Sequence, residues 1–188
     1  IGGDEGFLMM ESLKHGFTIK NVLLTHAHFD HIGGADVLRK ETDTKIGIGV
    51  KDAPYLSDSI KNLSAKFGMP VEPFSADITF KDNETFTIGD ISFKVIETCG
   101  HTKGGVCYLC EKYLFTGDTL FHQSIGRTDF FDGNFNELKK SIEKLYTLDP
   151  NIIIYAGHGD QTTIGFEKKY NPFVRGSLGG VRDEADIR

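Results

Sequence analysis

Thr25-His26-Ala27-His28-Phe29-Asp30-His31 sets three imidazoles and a carboxylate within six positions, directly after the apolar run Val22-Leu23-Leu24. The run reads as a buried strand, with the cluster standing at its end. The whole chain holds seven histidines, so three in one turn need a physical cause. Neutral imidazole nitrogen and carboxylate oxygen are the donors that zinc-like metals take, and a dense group of both at a strand end is what a metal cradle requires.

The same arrangement recurs along the chain. Phe93-Lys94-Val95-Ile96 leads to Thr98-Cys99-Gly100-His101-Thr102, and Tyr113-Leu114-Phe115 leads to Thr116-Gly117-Asp118-Thr119. Ile152-Ile153-Ile154-Tyr155 runs into Ala156-Gly157-His158-Gly159. Each apolar run stops at small residues and presents one His or Asp. Glycine beside a ligand lets the backbone turn tightly or approach closely. One such histidine is ordinarily a satisfied loop residue; four segments of one kind point to a metal site.

The strings T-H-A-H-F-D-H-I-G-G from Thr25, C-G-H-T from Cys99, F-T-G-D-T from Phe115 and A-G-H-G from Ala156 resemble the metallo-β-lactamase superfamily, and within it the glyoxalase II-like hydrolases. The resemblance runs from Ile1 to about Arg175. It implies an α/β fold, the four-layer αββα sandwich, with a dinuclear metal site at one edge of the two sheets. The organisation expected is a catalytic domain over 1–175 and a loosely held tail over 176–188. Carried over position by position, His26, His28 and His101 look like ligands of a first metal, and Asp30, His31 and His158 like ligands of a second. Asp118 looks like the bridge between them. Asp30 and Asp118 are the carboxylates this assigns to catalysis.

The chemistry implied is hydrolysis. Two cations roughly 3.5–4 Å apart hold a shared hydroxide whose pKa is brought towards neutrality, and polarise a carbonyl and its leaving group. Thioesters of the S-2-hydroxyacylglutathione type are the expected substrates. The cofactors expected are two divalent ions, zinc first, with iron or manganese suited to the same donors. The alternative keeps the fold with another chemistry: a persulfide dioxygenase-like protein with one iron, a lactonase or a phosphodiesterase. The presence of Asp30, His31 and His158 favours two metals over one.

Two departures from the family pattern shape these expectations. Such enzymes begin with about three strands ahead of the helix matching Asp4–His15. The last of those strands ends in an Asp, just before the glycine pair matched by Gly2-Gly3, and that Asp supports a metal ligand. A chain starting at Ile1 is expected to be a fragment, or to begin within a longer protein, with a sheet short of strands and an unpaired edge. Long-form glyoxalase II also carries a helical domain that grips glutathione. The ending Thr162 to Phe173 resembles the short, single-domain members instead.

The resemblance implies a small-molecule substrate as the partner, and composition argues against two others. A formal charge of −6 and a pI near 5.6, without a Lys/Arg cluster, argue against sequence-independent nucleic-acid binding. No apolar segment approaches the length of a membrane span, and no signal peptide is evident. Cys99, Cys107 and Cys110 cannot all pair within the chain, which points to a reducing, cytoplasmic compartment. Cys107 and Cys110 fall on opposite faces of one strand and read as buried packing thiols. Cys99 reads as a small wall residue.

Periodicity predicts helices over Asp4–His15, Ala35–Glu41, Asp52–Phe67, Asn136–Leu148 and Thr162–Tyr170. Strands are predicted over Thr18–Thr25 and Lys45–Gly49, in a meander from Ile78 to Glu97 turning at Gly89-Asp90, and over Gly105–Glu111 and Tyr113–Thr116. Lys139, Lys140 and Lys144 mark the wetted face of their helix. Near the site, Arg127 has the donor fork to meet an anionic substrate, against a structural pair with Asp129, which is favoured. His122 and Phe29 are further candidate substrate contacts, and Phe29 and Phe121 serve equally as apolar walls or as core. His15, ending a helix, reads as exposed or as a dipole-favoured cap.

Overall fold

The apolar spacing at the start of the chain produces helix α1 over Glu5–Lys14, and the run before the histidine cluster produces strand β1 over Asn21–Leu24. The computed structural model describes residues 2–174, so the expected tail over 176–188 lies outside the described residues. The chain divides into two units, Ile1–Lys81 and Asp82–Arg188. Each holds a main sheet with its own helices and its own apolar core.

In the first unit, α2 (Phe29–Ile32) and α3 (Ala35–Thr42) connect β1 to β2 (Lys45–Gly49), and β3 (Ile78–Phe80) completes a sheet of order β1-β2-β3. Both pairings are parallel, so each connection must cross over, and α2 and α3 fill the first crossover. Val22 and Leu24 of β1, Ile46 and Ile48 of β2, and Ile32 and Leu38 of the crossover form the core. β1 and β3 are the sheet edges among the described residues. The predicted strand Thr18–Thr25 is shorter in fact. α1 forms where its periodicity places it, yet Phe7, Met10 and Leu13 are 59%, 58% and 78% exposed. Periodicity specified the helix but not a cover for its apolar stripe.

The helix predicted over Asp52–Phe67 does not form as one element. A 3-10 turn, Ala53–Ser57, and a single α-turn, α4 (Ser64–Phe67), stand in its place. Side chains compete with the helical ladder here: Asp58 Oδ1 accepts from the Ile60 and Lys61 amides, and Asn62 Oδ1 from the Ser64 amide. Leu63 adopts a left-handed φ of 67°, which an α-helix cannot contain.

The second unit is built on a six-stranded sheet of order β11-β10-β7-β6-β5-β4. β4 (Thr85–Ile88) and β5 (Ile91–Glu97) form the predicted hairpin, turning at Gly89 with φ 58°. β6 (Val106–Cys110) and β7 (Tyr113–Gly117) continue the antiparallel run. A small hairpin, β8 (Leu120–Phe121) with β9 (Ser124–Ile125), was not predicted; two residues per strand leave no periodicity to read. α5 (Phe135–Leu145) is capped by Asn134, whose Oδ1 accepts from the Glu137 amide, and ends three residues short of the predicted Leu148. It carries the chain to β10 (Ile153–Ala156), parallel to β7, and seats Leu138, Ile142 and Leu145 in a core shared with Leu114 and Ile154.

Thr162–Thr163, predicted to begin the closing helix, form edge strand β11; α6 spans Ile164–Tyr170, with Thr163 Oγ1 accepting from the Phe166 amide at its start. Cys107 and Cys110 are free and buried, and Cys99 is half-buried. Lys140 and Lys144 are exposed as expected, whereas Lys139 is half-buried.

Candidate metal centre

Each strand end that carries a candidate ligand is shaped by local chemistry. In the first unit β1 stops at Leu24, and His26 and His28 lie in the loop before α2, which carries Asp30 and His31. His26 and His28 are 2% and 4% exposed. The His26 ring centroid lies 4.8 Å from that of His28, at 89°, and 4.2 Å from that of His31. His31 Nε2 lies 3.6 Å from Asp30 Oδ2. Three imidazoles and a carboxylate therefore converge.

The irregular segment that replaced the predicted helix supports this loop. Asp52, fully buried, accepts a hydrogen bond from the Ala27 amide at 3.1 Å, between the two buried histidines. The Asn62 carbonyl accepts from the Phe29 amide at 2.9 Å, and the Phe29 ring stacks on Phe67 at 5.2 Å. Phe29 is thus engaged as a packing residue. Sequence reasoning missed Asp52 and Asn62. For Asp52 a signal existed: it is an acidic residue just past the end of an apolar strand, the pattern that marked the ligands.

In the second unit His101 follows β5, Asp118 follows β7 and His158 follows β10. The Gly157 amide donates to the Gly117 carbonyl at 2.8 Å, so the ends of β7 and β10 are held together. His101 Nε2 lies 3.5 Å and His158 Nε2 3.7 Å from the same oxygen, Asp118 Oδ2. His101 Nδ1 lies 2.7 Å from the Arg127 carbonyl. Gly126 is required beside it: a Cβ there would sit 1.7 Å from the Asp118 carbonyl oxygen. His101 and Asp118 are largely buried, while the His158 side chain is 56% exposed and meets Phe121 edge-on at 6.1 Å.

These donor sets suit a divalent cation. Separations of 3.5–3.7 Å between carboxylate oxygen and imidazole nitrogen exceed a hydrogen bond. They approach the roughly 3.3 Å between two ligands sharing one tetrahedral ion at bonds near 2.0–2.1 Å. His26, His28, Asp30 and His31 of the first unit, and His101, Asp118 and His158 of the second, are the residues whose ligand atoms could hold a metal.

The remaining predicted contacts have other engagements. Arg127 makes a two-pronged bond to Asp129, Nε to Oδ1 at 2.7 Å and Nη2 to Oδ2 at 2.6 Å, with its guanidinium 3.9 Å over Phe130. That is the structural pair favoured by the sequence. His122 is exposed, its ring 5.3 Å from Phe166, and lines an open groove of about 430 Å³ with Gln161 and Thr162. His15 caps α1, exposed, with Nε2 3.4 Å from Glu11.

The model of the metallo-β-lactamase superfamily matches residues 2–158. The chain belongs to this superfamily. Among its members, a hydroxyacylglutathione hydrolase, GloC, of Haemophilus influenzae is 38% identical over 92% of this chain and 84% of its own. The crystal structure of BLEG-1, a B3 metallo-β-lactamase, superposes with a TM-score of 0.88 at 38% identity, covering 93% of this chain and 86% of that one. The structure of TTHA1623 in a di-iron-bound form gives a TM-score of 0.83 at 29% identity, covering 92% and 86%. The fold is therefore the metallo-β-lactamase fold, and the chain is a metal-dependent hydrolase of that superfamily. Its His and Asp clusters are of the kind that holds divalent metal in such a hydrolase.

Proposed function

We propose that the chain hydrolyses thioesters of the S-2-hydroxyacylglutathione type at a dinuclear metal centre. In this reading His26, His28 and His101 hold one ion and Asp30, His31 and His158 the other, with Asp118 shared. One observation carries it: a single carboxylate oxygen, Asp118 Oδ2, faces an imidazole from each set, His101 at 3.5 Å and His158 at 3.7 Å. A bridging carboxylate needs that placement.

The superfamily relative named hydroxyacylglutathione hydrolase favours the thioester, and the di-iron relative favours two ions, of zinc, iron or manganese. Bound divalent ions supply Lewis acidity and bring the pKa of water towards neutrality, the chemistry that cleaving a thioester to acid and thiol requires. The chain's own residues fix the donors. The Arg127 carbonyl holds the His101 ring by Nδ1, and Asp52 holds the Ala27 amide between His26 and His28. The substrate is a small molecule, and three cysteines, an odd number, fit a reducing, cytoplasmic setting. Among the described residues no helix is long and apolar enough to cross a membrane.

The test pairs elemental analysis of the purified protein with turnover of a hydroxyacyl thioester, a β-lactam, a lactone and a phosphodiester. The expected result is about two metal equivalents and thioester turnover that chelation abolishes. One iron with oxygen consumption would overturn the reading, as would lactam turnover exceeding thioester turnover.

A further inference from the structure

Glu167 lies outside every assigned role and is fully buried on α6. A carboxylate so placed is costly unless its oxygens are satisfied. Its three side-chain partners are neutral donors. The Thr162 hydroxyl donates to Oε1 at 2.6 Å, and the Gln123 amide and Asn171 Nδ2 donate to Oε2 at 2.9 Å each. Asn171, itself fully buried, also donates from Nδ2 to the Ser124 carbonyl at 3.0 Å. Two side chains one helical turn apart thus grip Gln123 at the tip of the β8–β9 hairpin and Ser124 beside it.

That hairpin cannot hold its own shape. It has two residue pairs, Leu120 with Ile125 and Phe121 with Ser124, fewer than an isolated hairpin needs. Its tip, His122-Gln123, contains no glycine although Gln123 takes a left-handed φ of 54°. Its two roots are parts of the candidate metal centre. One leaves from Asp118 through Thr119; the other returns through Gly126, which presses on the Asp118 backbone, to Arg127, whose carbonyl holds His101.

We propose that Glu167, with Asn171, is a positioning residue for the metal centre: it clasps the β8–β9 hairpin and so sets Asp118 against His101. This rests on the reading of Asp118 and His101 as ligands. The hydrogen-bond pattern separates the clasp from mere burial. In E167Q the amide carbonyl still accepts from Gln123 and Asn171, and the new NH₂ is satisfied if the Thr162 hydroxyl reverses to accept. In E167M no acceptor remains. The double variant E167Q/T162V removes the acceptor that the glutamine amide requires.

The experiment measures, on the full chain, the Co²⁺ affinity by competition with a chromophoric chelator, the visible spectrum of the cobalt form, and the Tm of the metal-free protein. E167M is expected to bind Co²⁺ at least about tenfold more weakly with an altered spectrum, the size seen when a ligand's supporting partner is lost. E167Q stays within about threefold of the parent, while E167Q/T162V falls to about a tenth of E167Q. The last comparison serves where E167M does not fold. Ile142→Ala, a core truncation in α5, is expected to lower Tm with the cobalt spectrum unchanged. Parental affinity and spectrum in E167M overturn the clasp, as does equality of E167Q/T162V with E167Q, or an I142A spectrum altered like that of E167M. D118A runs alongside. If it binds Co²⁺ like the parent, the ligand reading itself fails; if it loses Co²⁺ while E167M does not, only the clasp fails.

Discussion

The Nδ1 atom of His101 lies 2.7 Å from the main-chain carbonyl oxygen of Arg127. A carbonyl only accepts, so Nδ1 carries the hydrogen of this bond, and in the neutral ring Nε2, 3.5 Å from Asp118 Oδ2, is the atom that would meet a metal. Because the bond is to the main chain, the side chain at position 127 is dispensable for it. R127A is therefore expected to keep its full metal content and to lose only the exposed pair with Asp129 and the contact over Phe130, a change within about 2 kcal/mol. Metal analysis and urea unfolding check this. Metal content reduced by half or more would show that the guanidinium, and not the carbonyl, positions the ring.

Gly126 and Gly100 tolerate no side chain. A Cβ on Gly126 would stand 1.7 Å from the Asp118 carbonyl oxygen, and one on Gly100 would stand 2.2 Å from the Leu138 amide nitrogen, at a φ of 132°. Either alanine variant must displace the backbone next to a candidate ligand. G126A and G100A are each expected to lose at least about 2 kcal/mol of stability and most of the bound metal. Parental metal content in both would mean the backbone there is free to shift, against the geometry described.

Asp52 supports the histidine loop of the first unit. Removing its carboxylate leaves the buried Ala27 amide without this acceptor, at a cost of about 1–3 kcal/mol. D52A is expected to lose that stability in the metal-free protein and, in addition, to bind metal at least about tenfold more weakly. D52N, which keeps a carbonyl oxygen, is expected to recover much of both. Unchanged metal affinity in a folded D52A protein would confine Asp52 to a structural role.

Cys107 gives the stability a measurable alkaline slope. Complete burial pushes its thiol up to about 11 from an ordinary 9.0, against the lowering effect of the Thr98 and Thr119 hydroxyls. The folded-state pKa is raised, so the unfolded chain releases this proton first as the pH climbs. The stabilisation is full below pH 9 and is lost as the pH rises towards 11. The two-unit window corresponds to about 2–3 kcal/mol. Urea unfolding from pH 8 to 11 is expected to show the decline, and C107S to make it shallower. A native-state alkylation map should label Cys99 before Cys107, and rapid labelling of Cys107 at pH 8 would contradict its burial.

The metal-ligand pattern and the strand-ended grammar of this chain were legible without coordinates. His26, His28, Asp30 and His31 are adjacent in sequence, and His101, Asp118 and His158 each follow an apolar run, as the ends of β5, β7 and β10 bear out. The hairpin at Gly89 and the amphipathic face of α5 were readable for the same reason: period and turn chemistry are local. The segment over Asp52–Phe67 was not. Its composition permits a helix, and only the hydrogen bonds made by Asp58 and Asn62 within it and by Asp52 to the metal loop decide otherwise. The Arg127–Asp129 pair was open to two readings until the two-pronged bond resolved it in favour of structure.

By itself, then, the sequence determined which side chains are the candidate ligands, because donor type and local spacing are written residue by residue. Tertiary structure alone decided what holds them. The Arg127 carbonyl that fixes a histidine 26 residues away, the Asp52 carboxylate that reaches back 25 residues, and the Glu167 carboxylate that clasps a hairpin 44 residues upstream leave no periodic trace. Supporting bonds of this kind depend on where the chain returns in space, and a backbone amide or carbonyl can be supplied by any residue type.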